Sequence, residues 1–363
     1  MVYLDANATE PLRPAARAAA LAAMEVLGNP SSIHAAGRAA RKTLESARET
    51  VAAFCHARPP DVIFTSGATE ANALAIHALG RGRKILIGAT EHDSVRAAAP
   101  DAVILPVRQD GTLEPKMLEE ALAAHPGALL CLMAANNETG VLHDIESAAK
   151  ACAATGALLH VDAVQAIGRA NRDWLALGAA SFALSGHKFG GPMGAGALII
   201  HQGIDIEAYT KGGGQEQGRR GGTPPLPAIA GLAASLGEPY EAHKIASYRD
   251  EIEEFCRNLG AVIPGAAAPR LPNTVTLALP GIRAETQLIA LDMAGVAVSA
   301  GSACSSGKLA ASHVLTAMGY GDLAGQAIRV SLPWNVTAEG AKTFMAAYAA
   351  MVKRALRRAE HSA

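Results

Sequence analysis

Five short polar segments in the first two hundred residues each follow an apolar run, and they carry side chains that could form one reactive site. The segments are 65–70, 89–92, 136–138, 162–165 and 185–188. Together they hold a lysine, several carboxylates, hydroxyl groups, amides and two histidines. A lysine amine can form an imine with a carbonyl compound, and a buried carboxylate can hold a cationic ring nitrogen. These residue types favour covalent catalysis on a bound organic group.

Lys188 and Asp162 are the residues on which that interpretation depends. Lys188 precedes Phe-Gly-Gly, and glycines allow the backbone to pass close to a bulky ligand. A lone lysine is most often a surface residue, but the neighbouring Ser185 and His187 favour a role in a site. Asp162 shares one strand face with His160, two residues away, and a carboxylate buried there needs a partner such as a cationic ring nitrogen. Helix capping is the alternative role for Asp162.

A phosphate site is predicted where residues 67–70 connect a strand to an apparent helix at 71–79. The free N–H groups and the positive end of a helix dipole favour a phosphate there, and Thr69 adds a hydroxyl group. Ser185 and His187 could complete the site. The segment is a weak indication by itself, because turns from strands to helices often contain Ser, Gly and Thr.

Three further side chains are candidates for contacts with a cofactor ring. His92 could stack on the ring and relay protons, whereas Gln165 and Asn137 could reach a phenolic oxygen. The alternatives are a structural histidine and an asparagine that forms a turn. With a lysine, an acid and a phosphate site, these residues meet the requirements for binding pyridoxal phosphate (PLP). PLP is therefore the cofactor that the residues predict.

A sheet must bring these segments to one edge. Short apolar runs predict seven strands, and helical patterns at 114–124 and 145–155 separate some of them. The predicted strands are 62–65, 84–88, 103–107, 129–135, 158–164, 181–185 and 196–200. This alternation predicts an α/β fold with a mostly parallel seven-stranded sheet flanked by helices, and such sheets bind ligands at the carboxyl ends of their strands.

The length of 363 residues predicts a large domain and a smaller one. The pattern changes after residue 200, where a glycine-rich loop at 212–222 precedes an amphipathic helix at 241–258. We predict a large PLP-binding domain at 13–240. A smaller C-terminal α+β domain at 241–363, joined by residues 1–12, would carry the loop with Cys304.

The charge balance and the amino terminus exclude several classes of partner. The net charge is −1, from 32 basic and 33 acidic residues, so neither nucleic acid nor an anionic membrane is an expected partner. The amino terminus lacks the basic and apolar regions of a signal peptide, and no apolar run is long enough to span a bilayer. We expect a cytoplasmic protein.

Five cysteines, at positions 55, 131, 152, 256 and 304, form neither a Cys-x-x-Cys pair nor an even set. Disulfides and a cysteine-based metal site are therefore not expected. Four of the cysteines lie in apolar or helical surroundings, which is typical of small buried side chains. Cys304 lies among small residues at 301–307, as expected for an accessible thiol. In isolation, an unreactive loop cysteine would be the favoured interpretation.

The ordered motifs resemble the cysteine desulfurases of the NifS/IscS type, in the class V aminotransferase group of fold-type I PLP enzymes. The resemblance extends almost from end to end. Its motifs lie at 3–9, 29–34, 37–38, 65–72, 91–92, 136–140, 160–165, 185–188, 213–216, 220–223, 299–307 and 312–315.

The resemblance implies a role for each matching residue. Lys188 would form the Schiff base, Cys304 would accept sulfur and His92 would stack on the ring. Arg329 would bind the substrate carboxylate, and Asn7 and Arg38 are weaker candidates for the pocket. The implied cofactor ligands are Ala68, Thr69, Asn137, Asp162, Gln165, Ser185, His187, Lys188 and, in the other subunit of a homodimer, Thr223.

The resemblance further implies desulfuration of L-cysteine to L-alanine, with a persulfide on Cys304 that passes sulfur to an acceptor. An iron–sulfur scaffold protein is the expected acceptor, and tRNA thiolation or another carrier is an alternative. No resident metal is expected, although Cys304 could briefly ligate an iron–sulfur cluster shared with a scaffold.

Two departures from the family pattern could alter the pocket mouth and the substrate preference. Glu10 stands where a second threonine is usual, and Pro333-Trp334 follows Ser331-Leu where a glycine is common. A selenocysteine lyase or another class V aminotransferase-type enzyme is the main alternative. A non-catalytic protein that uses Cys304 as a thiol ligand is a second one.

Overall fold

The structure, a computed structural model, describes residues 1–301 and 310–360. Its strands are β1 (Val2–Tyr3), β2 (Val62–Thr65), β3 (Ile85–Gly88), β4 (Val103–Leu105), β5 (Leu129–Met133), β6 (Leu158–Asp162), β7 (Ser181–Ser185), β8 (Gly196–Ile200), β9 (Thr274–Ala278), β10 (Val296–Ala297), β11 (Ser299–Ala300) and β12 (Ala327–Ser331). Its α-helices are α1 (Pro14–Met24), α2 (Ala35–Phe54), α3 (Ala68–Leu79), α4 (Asp93–Arg96), α5 (Pro115–Ala124), α6 (Ile145–Thr155), α7 (Leu226–Leu236), α8 (Ala242–Asn258), α9 (Ala284–Met293), α10 (His313–Ala317) and α11 (Ala338–Glu360).

The large sheet has the order β2-β8-β7-β6-β5-β3-β4. The pairs from β7 to β4 are parallel, whereas β8 is antiparallel to both of its neighbours. Hydrophobic clusters cover both faces of the sheet, which explains why strands such as β5 are apolar throughout. The predicted mostly parallel seven-stranded sheet is confirmed.

Three predicted strands extend beyond the observed ones by two residues each. Strand β4 ends before Pro106, which has no N–H group for the ladder. Strands β5 and β6 end at Met133 and Asp162, where the chain turns into the polar segments that carry the candidate site. The polar side chains therefore begin at the carboxyl edge of the sheet, as predicted.

The remainder of the chain packs around a second sheet, ordered β11-β12-β9 and antiparallel. Its core includes side chains of α8 and α11, such as Ile252, Phe344 and Tyr348. The amino terminus joins this unit, because β1 pairs with β10 and Asp5 forms a bridge with Ser331. The domain boundaries at residues 13 and 241 stay a prediction.

The cysteines at 55, 131, 152 and 256 are buried free thiols, as predicted. Burial raises the pKa of each of them, to about 12 for Cys55 and Cys152. Cys304 lies outside the described residues. Within the described ranges, no helix combines the length and the hydropathy that a membrane crossing requires.

Candidate active site

A cavity of about 580 Å³ lies where the carboxyl ends of the large-sheet strands face the second sheet. Segments that follow β2, β3, β5, β6 and β7 line one side, and residues 299–301 and Arg329 line the other. The lining includes these predicted site residues: Asn7, Ala68, Thr69, His92, Asn137, Asp162, Gln165, Ser185, His187, Lys188 and Arg329. The sheet therefore brings residues separated by more than three hundred positions to one place.

Lys188 lies in a short 3-10 turn directly after β7, and its amine points back to the amino-terminal segment. Its Nζ donates hydrogen bonds to the carbonyl oxygens of Asn7, at 2.8 Å, and Ala8, at 3.1 Å. Burial, together with the nearby guanidinium groups of Arg329 and Arg169, lowers the pKa of Lys188 to about 8. The amine is thus partly unprotonated near neutral pH, as a nucleophile or base must be.

Asp162 ends β6 and is held by uncharged donors. Asn72 Nδ2 donates to one carboxylate oxygen at 2.8 Å, and the N–H of Val164 donates to the other at 3.1 Å. His160 Nε2 lies 2.9 Å from Asn72 Oδ1, and its Nδ1 lies 2.8 Å from Ser181 Oγ. Burial lowers the pKa of His160 to about 4, so this histidine is neutral and donates through Nε2 to the amide oxygen. The network fixes Asp162 at the cavity and leaves its charge without a cationic partner in the described part of the chain.

The first turn of α3 also lines the cavity, through Ala68, Thr69 and Glu70. Among the residues that the structure describes, no side chain caps this helix, so its first N–H groups remain available to an anion. A Cβ atom on Gly67 would lie 3.7 Å from Ser185 Oγ, which places that hydroxyl group opposite the turn. Glu70 is occupied by an ion pair with Arg220 at 2.7 Å. These donors fit a phosphate group.

His187 and His92 border the cavity with different surroundings. Burial lowers the pKa of His187 to about 4, and its Nδ1 lies 3.1 Å from Thr9 Oγ1. His92 is the residue before α4, and its Nδ1 accepts a hydrogen bond from the N–H of Ser94 at 3.1 Å. Within the described part of the chain, Nε2 of His92 has no hydrogen bond and is the ring nitrogen available to a group in the cavity.

Arg329, on β12, faces the cavity from the second sheet and is 5% exposed. One terminal nitrogen pairs with Asp5 at 2.7 Å, and the other donates to the carbonyl oxygen of Asn137 at 3.1 Å. Its Nε is buried and has no partner in the described structure. A guanidinium with a spare buried donor fits a carboxylate ligand.

The sequence matches the family model described as aminotransferase class V over residues 2–344. The chain belongs to the class V aminotransferase family. A cysteine desulfurase described as IscS-like, from Mycobacterium tuberculosis, is 35% identical over 350 residues, which cover 88% of each chain. A solved NifS-like protein from Rickettsia africae superposes with a TM-score of 0.90 at 33% identity, covering 97% of this chain and 99% of that one.

A further similar solved structure is described as SspA in complex with cysteine. It is 28% identical, with a TM-score of 0.80, and covers 92% of this chain and 99% of that one. Both solved structures share the α/β fold seen here. The family assignment agrees with the resemblance inferred from the motifs, and the relative from Mycobacterium tuberculosis is described as a cysteine desulfurase.

Among the described residues, two that the resemblance assigned do not line the cavity of this class V chain. Cys304 lies outside the described residues. Thr223 is exposed and away from the cavity, and its proposed contact belongs to a second subunit. Arg38 is exposed on α2, where it donates to the carbonyl oxygen of Ile33 at 2.7 Å.

The structure gives Asn7 a more central place than the sequence suggested. Its carbonyl oxygen accepts from both Lys188 and Gln165, at 2.8 and 3.0 Å. Its side-chain N–H groups donate to the carbonyl oxygen of Asn137 at 3.0 Å and to Thr274 Oγ1 at 2.9 Å. Both side-chain donors are thus used inside the protein, which favours a positioning role over substrate contact.

Sequence reasoning did not identify Asn72, Arg169 or Glu138 as parts of the site. Asn72 and Glu138 lie within motifs that carry the resemblance, which is the signal that could have identified them. Glu138 Oε2 accepts from Ser312 Oγ at 2.5 Å and lies against Cα of Gly301. Burial raises the pKa of Glu138. Arg169 stands in no such motif, and its place follows only from the folded chain.

Proposed function

We propose that this chain is a PLP-dependent cysteine desulfurase, which converts L-cysteine to L-alanine and leaves a persulfide on Cys304. The observation that carries the proposal is Asp162, a buried carboxylate whose hydrogen-bond donors in the described part of the chain are all neutral. It shares a cavity with Lys188, whose amine is partly unprotonated near neutral pH. The similarity to cysteine desulfurases over most of the chain supports the choice of reaction.

The residues of the cavity fit PLP at each of its polar groups. Asp162 would hold the protonated ring nitrogen, because its buried carboxylate lacks a cationic partner among the residues that the structure describes. The first turn of α3, with Thr69, Ser185 and His187, would hold the phosphate. Gln165 and Asn137 would bind the phenolic oxygen, and His92 would cover the ring. The chemistry that PLP supplies when bound is an electron sink, which makes the α-proton of an attached amino acid acidic.

Lys188 would anchor the cofactor covalently and then act as a base at the α-carbon. Both tasks need the neutral amine, which the buried and positively charged surroundings of Nζ favour near pH 8. The carbonyl oxygens of Asn7 and Ala8 accept from Nζ and hold it at the edge of the cavity. Released from the cofactor, the same amine would hold the α-proton at Nζ.

Arg329 would bind the substrate carboxylate and set the orientation of the amino acid. Its guanidinium has a buried Nε that lacks a partner among the described residues, and one terminal nitrogen forms an ion pair with Asp5 at 2.7 Å. A bidentate arginine–carboxylate pair fixes both position and direction. The Asp5 ion pair would weaken or move when a substrate carboxylate binds.

The thiolate of Cys304 would attack the sulfur of the substrate. The new S–S bond forms as the carbon–sulfur bond of the substrate breaks, and its electron pair returns to the substrate carbon. Protonation from Lys188 or His92 completes L-alanine, and the sulfur stays on Cys304 as a persulfide. An iron–sulfur scaffold or another sulfur carrier would then accept it. A homodimer would place Thr223 at the phosphate of the other subunit.

A product assay separates this function from its alternatives. The PLP-loaded protein with L-cysteine and a reductant should release L-alanine and sulfide without any added keto acid. Cys304→Ala should bind PLP normally and lose this reaction. An aminotransferase would need a keto acid, and a selenocysteine lyase would use selenocysteine and leave cysteine intact. A keto-acid requirement would overturn the proposal.

A further inference from the structure

The two departures from the family pattern meet in one buried cluster. Glu10 is 3% exposed, and one oxygen of its carboxylate lies 2.6 Å from Arg169. The other oxygen accepts from the backbone N–H of Trp334 at 2.5 Å. The Trp334 indole donates to the carbonyl oxygen of Pro11 at 2.9 Å, and Arg13 lies over its ring at 5.2 Å. The departures therefore lie behind the site rather than at its mouth, where the sequence suggested an effect.

Arg169 connects this cluster to the cavity. Its second terminal nitrogen donates to Gln165 Oε1, at 2.5 Å, and to Asn7 Oδ1, at 3.0 Å. Gln165 Nε2 then donates to the carbonyl oxygen of Asn7 at 3.0 Å. A rotated Gln165 amide would set oxygen against oxygen at Asn7 and nitrogen against nitrogen at Arg169. The arginine therefore fixes the direction of the amide, and one Gln165 N–H remains for a group in the cavity.

We propose that Glu10 is a positioning residue, which acts through Arg169 to hold Gln165 and Asn7 in place and to offset the arginine's charge beside Lys188. The inference rests on the proposed function in one respect, the assignment of Gln165 and Lys188 to a cofactor. The effect on Lys188 itself needs no cofactor, because it depends on charges that the chain already holds.

Several other ionisable groups surround the two cations. In the described part of the chain, Arg329, Asp162, Asp5 and His187 lie near Lys188. Arg13 and Tyr240 lie near Arg169, beside Glu10 itself. Arg169 lowers the pKa of Lys188. Removal of the Glu10 carboxylate leaves that positive charge uncompensated, so the pKa of Lys188 should fall further.

The experiment measures how fast acetic anhydride modifies Lys188 in the full-length, cofactor-free protein as a function of pH. The readout is mass spectrometry of the peptide that contains Lys188. Glu10→Gln should lower the pH midpoint of modification by about half a pH unit, and Glu10→Thr, the residue usual in the family, should do the same. The double variant Glu10→Gln/Arg169→Met should raise the midpoint to the wild-type value or above it.

The matched control is Glu253→Gln, on α8 beside the second sheet. It breaks the ion pairs of Glu253 with Arg257 and Arg270, both at 2.6 Å. This variant should leave the Lys188 midpoint unchanged while losing a comparable ion pair. A second readout is the pH midpoint of the absorption band of bound PLP, which should shift in the same direction in Glu10→Gln. Equal midpoints in Glu10→Gln and Glu253→Gln would overturn the inference, as would a double variant that stays at the Glu10→Gln value. Neither result depends on desulfurase activity.

Discussion

The amine of Lys188 donates a hydrogen bond to the carbonyl oxygen of Asn7 at 2.8 Å, although 181 positions separate the two residues. Asn7 is anchored by the second sheet through Ser331, whose Oγ accepts from the Asn7 N–H at 3.0 Å. The amino-terminal segment therefore holds the lysine of the large sheet against residues of the second sheet. A movement of one sheet relative to the other would therefore displace the amine of Lys188.

Replacement of Lys188 by methionine should stabilise the cofactor-free protein at neutral pH. The pKa of Lys188 is about 8 in the folded chain, below the value of about 10.5 for an unfolded lysine. Between these two values the unfolded state binds more protons than the folded state. The free-energy cost of burying the charged lysine is therefore largest below pH 8 and disappears as the pH rises to about 10.5. Below pH 8 the free energy of unfolding of Lys188→Met should exceed that of the wild-type protein by ~3 kcal/mol.

Urea unfolding of both cofactor-free proteins at several pH values measures this effect. The surface variant Lys150→Met serves as the control, because Lys150 is exposed on α6. A Lys188→Met protein with no gain at pH 7, or with a gain that persists at pH 10.5, would show that Nζ is not destabilised by burial.

Replacement of Asp162 by asparagine should weaken the binding of PLP more than it weakens the fold. The amide keeps the size of the carboxylate but cannot hold a protonated ring nitrogen, and a hydrogen bond to a charged group contributes about 1.5–3 kcal/mol. The dissociation constant should rise by roughly 10-fold to 100-fold, measured by equilibrium dialysis. Asp292→Asn, on the exposed face of α9, is the control. Equal affinity in both variants would remove Asp162 from the cofactor site.

Replacement of Arg329 by glutamine should raise the KM for L-cysteine by roughly 10-fold to 100-fold, because it removes a charge-assisted pair with the substrate carboxylate. The binding of PLP should change little. Arg81→Gln, at an exposed ion pair with Glu207, gives the background effect of losing an arginine. A KM equal to that of Arg81→Gln would assign the carboxylate contact to another residue.

Iodoacetamide should modify the native protein at Cys304 and spare the other four cysteines. Those four thiols are buried, and burial raises the pKa of each of them, so the reactive thiolate is scarce. Intact-mass analysis should show one added group in the wild-type protein and none in Cys304→Ala. Modification of Cys55 or Cys152 at a similar rate would contradict this expectation.

The sequence was sufficient to predict the large sheet and most of its active edge. Apolar runs such as β5 and β8 are covered on both faces, so their composition alone identified them, and the polar residues after each run marked the carboxyl edge. The Asn136-Asn137 pair shows both roles that the sequence left open. Asn136 Oδ1 accepts from the N–H groups of Glu138 and Thr139 and forms the turn, whereas Asn137 lines the cavity.

What the sequence could not predict depends on long-range packing. Glu10 and Arg169 are 159 positions apart, and no periodicity links a segment before α1 to a turn after β6. Likewise, Asn72 lies on the buried face of α3. Its contacts with Asp162 and His160 depend on how that helix packs across the sheet. Side-chain networks of this kind follow from the fold and not from local spacing.

The persulfide on Cys304 tests the central claim most directly. The PLP-loaded protein would be incubated briefly with sulfur-labelled L-cysteine in the absence of a reductant, and the peptide that contains Cys304 would be analysed by mass spectrometry. We expect one labelled sulfur atom on Cys304, none in Lys188→Ala, and L-alanine in equal amount. L-alanine formation with an unmodified Cys304, or labelled sulfur on another cysteine, would contradict it.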